Sequence, residues 1–313
     1  MPELKCNADR LWSAIMSLAE IGATPGGGVG RIALTETDRE ARDRFVQWSE
    51  AAGCEVRVDA MGNIFARRAG TQADTPAVMT GSHLDTQPLG GKFDGIFGVL
   101  AGLEAVRALN DANVRTRAPL DVAVWTDEEG VRFAGGCVAS GVFAGVYELE
   151  YGLNLADSEG VTLGEALARI GYAGDEPVGG YPVDSFFEAH IEQGPILEAE
   201  GLQVGVVLGA QGQLCFEVVV SGEEGHAGTL PMGLRKDAMV GAARMIAALN
   251  DLAFTYEPHP VITVGHVRVR PNSRNTIPGQ VVFTIDARHP DDDTLELVAA
   301  DMHSTCRGIA EGG

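Results

Sequence analysis

GSHLDTQPLGGKFDG, residues 81–95, places an imidazole, His83, and a carboxylate, Asp94, in a glycine-rich loop, and the fold is read outward from it. The apolar run Ala77-Val78-Met79-Thr80 precedes it, and from Ile96 to Leu109 apolar residues recur at helical spacing, so the unit reads as strand, loop, helix. In an open α/β sheet, ligands bind in the crevice beyond the carboxyl ends of the strands, which is where such a loop lies. A second strand-like run, Leu120 to Trp125, leads into Thr126-Asp127-Glu128-Glu129-Gly130 and puts two adjacent carboxylates at an equivalent strand end. A third, Phe186 to His190, ends in a histidine. His83, Asp94, Glu128, Glu129 and His190 form a mixed nitrogen and oxygen set suited to zinc, with cobalt or manganese also admissible.

Each of these signals has a plainer reading when taken alone. His83-x-Asp85 fits a hydrogen-bonded turn, the two glutamates fit a solvated turn, and His190 fits a structural histidine. Their conjunction at three strand ends is what points to a metal. The glutamates follow an apolar strand and precede a glycine, so their side chains diverge. One can then bind metal while the other takes a proton from water.

Composition sets the bounds. A chain of 313 residues holds about two domains. With 45% hydrophobic and 21% charged residues it is globular rather than disordered. The formal net charge of −21 argues against nucleic acid and anionic membrane as partners, since a polyanion is repelled and no basic patch is evident. Five cysteines, odd in number and without close pairing, make neither a disulfide framework nor a zinc knuckle, so a reducing cytoplasm is expected. The N-terminus lacks a signal-peptide core, and no apolar run approaches the ~18 residues of a membrane span.

In chain order, residues 9–21 read as an amphipathic helix with Leu11, Ile15 and Leu18 on one face. A second helix runs to about Ala52, with Thr37 as N-cap and Glu40 closing a capping box. Residues 55–59 and 63–67 read as a hairpin. Residues 135–145 read as helical, and 146–182 as an acidic, irregular insertion with one short helix at 163–170. The pattern changes near residue 210. Strand 214–221, helix 236–249, strand 261–270, strand 280–288 and helix 293–309 follow, a β-α-β-β-α succession of the split βαβ or ferredoxin-like kind.

Five ordered stretches carry a resemblance: GSHLDTQPLGGKFDG, TDEEGVRF, EAHIEQGPILE, GEEGHAGTLPMGLRKDA and RPNSRNTIPG followed by DARHP. They are similar to the successive signatures of the di-zinc amidases that comprise N-carbamoyl-L-amino-acid hydrolases, β-ureidopropionases and allantoate amidohydrolases, relatives of the di-zinc exopeptidases. The resemblance implies an α/β fold with a mixed, mostly parallel sheet flanked by helices over residues 1–210. It also implies an inserted ferredoxin-like α+β lid and dimerisation domain over 211–313. It implies two zinc ions, with manganese, cobalt or nickel as substitutes. His83 and His190 would be terminal ligands, Asp94 the bridging ligand, Glu129 a ligand and Glu128 the general base. His226 would polarise the scissile carbonyl in the partner subunit's site of a homodimer. Asn275 and Arg288 would hold the substrate carboxylate with Gln193 nearby, a role for which Arg is the preferred bidentate clamp.

The expected reaction is hydrolysis of the carbamoyl amide of an N-carbamoyl amino acid, ureidopropionate or allantoate-like substrate. A di-zinc dipeptidase or aminoacylase is the alternative within enzymes, and a non-catalytic dimerising or ligand-binding remnant the alternative outside them. Members of the resembled family continue past the equivalent of Gly313, through a last lid strand and a further histidine ligand, so the sequence reads as a C-terminally shortened member.

Overall fold

The computed structural model describes residues 4–312, and the chain divides after Gly201 into two units. In the first, α1 (Ala8–Ala19) is capped by Asn7, whose side chain accepts from the Arg10 N–H, and it buries Ala14, Ile15 and Leu18. α2 (Glu36–Ala51) starts earlier than expected, because Thr35, not Thr37, is its N-cap. The returning acid is Asp38 rather than Glu40: its carboxylate accepts from the Leu34 N–H at 2.9 Å and pairs with Arg42 one turn on at 2.8 Å. Both Asp38 and Arg42 are buried, so a buried i,i+4 ion pair within the helix accompanies the choice between two threonines that the capping pattern serves equally.

β1 (Glu55–Val58) and β2 (Ile64–Arg68) form the expected antiparallel hairpin, with Val58 opposite Ile64. β3 (Ala77–His83), α3 (Ile96–Asp111) and β4 (Leu120–Trp125) follow, and β4 lies parallel to β3. Next come α4 (Val138–Phe143), α5 (Leu149–Leu153) and α6 (Leu163–Ile170), so the insertion carries two helices where one was expected. β5 (Val183–Phe187) and α7 (Ile196–Glu200) complete the unit. The strand order is β1-β2-β4-β3-β5. Two of its pairings are antiparallel and two parallel, so the sheet is more evenly mixed than expected.

Both faces of this sheet are covered, which is why β4 reads as one apolar run. Val122 and Val124 point into the main core with Leu18, Phe45, Leu100 and Leu167, while Ala123 and Trp125 join Phe65 and Met79 on the other face. At Gly81 a Cβ would stand 2.1 Å from the Ala123 carbonyl oxygen, so only glycine lets β3 approach β4 there.

The second unit contains β6 (Gly212–Ser221), β7 (Gly225–His226), α8 (Ala238–Ala253), β8 (Val261–Thr263), β9 (Val267–Arg270), β10 (Thr276–Ile277), β11 (Gln280–His289) and α9 (Asp292–Glu311). Residues 202–211 carry no helix or strand, so the change of pattern near 210 marks the start of β6. β11 lies between β6 on one side and β8 and β9 on the other, all antiparallel. The single strand expected over 261–270 is thus two strands on one partner. Val281, Phe283, Ile285 and Ala287 of β11 pack against Ala242, Met245 and Leu249 of α8 and Leu295, Val298 and Met302 of α9. No described helix is long and apolar enough to cross a membrane.

Candidate active site

β3 delivers His83 to the end of the sheet in the first unit, where the residue is 1% exposed. Its Nδ1 lies 2.9 Å from the Asp85 carbonyl oxygen. A carbonyl only accepts, so Nδ1 carries the proton and Nε2 presents a lone pair. Gly95 (φ +63°) makes room for this ring, since a Cβ there would stand 2.5 Å from the imidazole. Asp94 therefore enters the site directly before α3, with Oδ1 3.8 Å from His83 Nε2.

His190 does not end a strand: β5 stops at Phe187, and the histidine stands three residues beyond it. Its Nδ1 donates to the Ile191 carbonyl at 2.9 Å, and its Nε2 lies 3.2 Å from Asp94 Oδ1. The His83 and His190 rings stack with centroids 5.9 Å apart. His83, Asp94 and His190 each offer one ligand atom, and these atoms all lie within 4.8 Å of one another. Tetrahedral zinc at its usual bond lengths spaces its ligand atoms about 3.3–3.6 Å apart, and the 3.8 and 3.2 Å separations from Asp94 bracket that range.

The turn after β4 supplies the two glutamates. Glu128 Oε2 lies 3.5 Å from His83 Nε2, and its Oε1 accepts from the Cys137 thiol at 3.2 Å. Glu129 is outside the three-residue cluster. Its Oε2 accepts from Gln87 Nε2 at 2.7 Å, and its Oε1 is buried with no hydrogen-bond partner. A buried acceptor without a donor is costly unless a cation fills the role. Asp85 ties the loops together by accepting from the Glu128 N–H at 3.3 Å and the Glu129 N–H at 3.2 Å.

Asp85, Gln87 and Cys137 are absent from the sequence-predicted set. Asp85 left a trace in the His-x-Asp spacing, whereas the other two left none. The charges point the same way as the unpaired oxygen. Burial disfavours the charged form of His83, but the carboxylates of Asp85, Glu128 and Glu129 outweigh it and raise its pKa above the ordinary imidazole value. Burial pushes the Asp85 carboxyl up to about 6 despite His83 beside it. Four carboxylates around two imidazoles, with an orphaned buried oxygen among them, fit a divalent cation.

Gln193, expected near the substrate carboxylate, hydrogen-bonds Asp94. Its Nε2 donates to Asp94 Oδ2 at 2.7 Å, from a residue held in the left-handed region at φ +56°. In the second unit, the short β7–β10 ladder sets His226 opposite Thr276, and the Ala227 N–H donates to the Asn275 carbonyl at 3.0 Å. His226 and Asn275 are thereby neighbours. His226 Nδ1 accepts from the Gly228 N–H at 3.0 Å, which leaves the proton of a neutral ring on Nε2 as an outward donor. Arg288, on β11, spends its guanidinium on Asp286 at 2.8 and 3.0 Å.

A mixed α/β sheet gathering imidazoles and carboxylates at its strand ends defines an α/β enzyme class with its chemistry in the strand-end crevice. The pattern of peptidase family M20/M25/M40 matches residues 79–300, and the chain belongs to that family. Members of the family are typically metal-dependent. The chain is 48% identical over 307 residues to the N-carbamoyl-L-amino-acid amidohydrolase of Rhizobium meliloti, covering 98% of this chain and 74% of that protein. It is 35% identical over 294 residues to the allantoate amidohydrolase of Bacillus subtilis, covering 93% and 71%. A solved amidase of the hydantoinase/carbamoylase family from Burkholderia multivorans superposes with TM-score 0.89 at 54% identity, covering 99% of this chain and 76% of that one. This chain is accordingly a hydrolase of linear amides acting on a small molecule.

Proposed function

We propose that this protein hydrolyses the carbamoyl C–N bond of an N-carbamoyl amino acid at a two-zinc centre, releasing the amino acid, carbon dioxide and ammonia. The observation that carries the proposal is the convergence of His83 Nε2, Asp94 Oδ1 and His190 Nε2 beside the Glu128 carboxylate. The Rhizobium relative supports the choice of substrate. His83, Asp94, His190 and Glu129 would hold the metal. A metal held there would supply Lewis acidity toward the attacking water and the scissile carbonyl.

Glu128 does the proton work: it takes a proton from the attacking water and returns it to the leaving nitrogen. His226 donates from Nε2 to the oxygen on which negative charge develops, and in a homodimer joined through residues 211–313 it serves the partner's site. Asn275 and Arg288 hold the substrate carboxylate. For Arg288 this requires a pose in which the guanidinium reaches past Asp286. Gln193 leaves Asp94 to meet the substrate. Five unpaired cysteines support a reducing compartment such as the cytoplasm.

The test is release of amino acid from N-carbamoyl-L-amino acids by zinc-loaded protein, with Glu128→Gln as control. Turnover is expected in the parent, and a loss of roughly 10²–10⁴-fold with metal retained is expected in the variant. A Glu128→Gln protein with intact kcat overturns the role of that residue, and an inert parent that cleaves dipeptides overturns the substrate.

A further inference from the structure

We propose that Gln87 is a positioning residue of the metal centre, its side-chain amide holding one oxygen of Glu129 so that the other stands ready as the donor atom. This rests on reading Glu129 as a ligand. Gln87 lies four residues after His83 in the same loop, and its Nε2 donates to Glu129 Oε2 at 2.7 Å. Glu129 Oε1 is buried and accepts from nothing. The two oxygens of one carboxylate are thus sharply distinguished.

The backbone beneath is fixed separately, by the Asp85 carboxylate on the Glu128 and Glu129 N–H groups at 3.3 and 3.2 Å. The loop after β3 therefore grips the turn after β4 twice. Asp85 sets where Glu129 starts, and Gln87 sets how its side chain is turned. A neutral amide suits this task, because a lysine or arginine in its place would neutralise the carboxylate and compete with a cation. Asp94 Oδ2 also accepts from a side-chain amide, Gln193 Nε2 at 2.7 Å, while its Oδ1 lies 3.2 Å from His190 Nε2. At Glu129 the amide occupies one oxygen and leaves the other for the centre. Partners of this kind tune metal affinity by orienting the ligand itself.

Gln87 is exposed, so replacing it disturbs little of the core. The test compares Gln87→Met, similar in length but without the N–H, and Gln87→Glu, which sets carboxylate against carboxylate. Zinc affinity is read by competition with a chromophoric chelator, and cobalt-loaded protein is read by visible absorption. Zinc binding is expected to weaken by about tenfold or more in Gln87→Met and further in Gln87→Glu, with an altered cobalt spectrum. The urea midpoint of the metal-free protein should be unchanged.

Zinc affinity within about twofold of the parent in Gln87→Met, with the parent cobalt spectrum, overturns the role of Gln87. Glu129→Ala run in parallel separates the two readings. If it also keeps zinc, the reading of Glu129 as ligand fails and the proposal with it. If it loses zinc while Gln87→Met does not, only the proposal about Gln87 fails.

Discussion

Among the described residues, Asp94 is the carboxylate that lies near both imidazoles, 3.8 Å from His83 and 3.2 Å from His190. Asp94→Ala should therefore remove more zinc than His83→Ala, His190→Ala or Glu129→Ala. Metal content by mass spectrometry checks this, and full occupancy in Asp94→Ala would exclude the residue from the centre. Cys137 offers a second test at this scale. Burial, and then the Glu128 charge, push its thiol up to about 12. Since the thiolate is the nucleophile, iodoacetamide should label Cys137 of the metal-free protein slowly at neutral pH and faster as pH rises. Glu128→Gln should speed labelling by removing the charge that favours the protonated thiol. Peptide mapping gives the rate, and rapid neutral labelling in the parent would contradict the geometry.

At the scale of elements, the strand ends that carry His83 and the glutamates were legible because β3 and β4 are apolar runs bounded by turn residues. The start of α2 was not. Thr35-x-x-Asp38 and Thr37-x-x-Glu40 satisfy the same local rule, and the buried bonds of Asp38 to Leu34 and Arg42 settle the choice. Arg42 also donates to the Thr126 hydroxyl at 3.3 Å, which links this helix to the turn that presents Glu128. Thr35→Ala should cost about 1 kcal/mol of stability, and Thr37→Ala distinctly less, measured by urea unfolding. The reverse order would return the cap to Thr37. β5 also ends sooner than its sequence pattern suggests. Phe186-Phe187 continues into Glu188-Ala189-His190 without a breaker, yet pairing with β3 ends at Thr80–Phe187.

For the whole molecule, the proposal that His226 serves the partner's site makes a complementation test available. Mixing Glu128→Gln and His226→Ala chains, each impaired alone, should restore part of the activity, because mixed dimers contain one site with an intact base and an intact histidine. Turnover that stays at the sum of the two variants would confine His226 to its own chain. The sequence alone determined the α/β class, the two long strands and two helices of the second unit and the residue types at the ends of β3 and β4, because hydrophobic period and turn chemistry are local. Only the tertiary structure decided the partners: Asp85 astride two backbone amides, Gln87 on Glu129, Gln193 on Asp94 and Arg288 on Asp286. Gln87 and Glu129 are 42 positions apart, and Asp94 and Gln193 are 99 apart. Which oxygen of a carboxylate is held and which stays free depends on side chains brought together by chain crossings, and no local pattern encodes that.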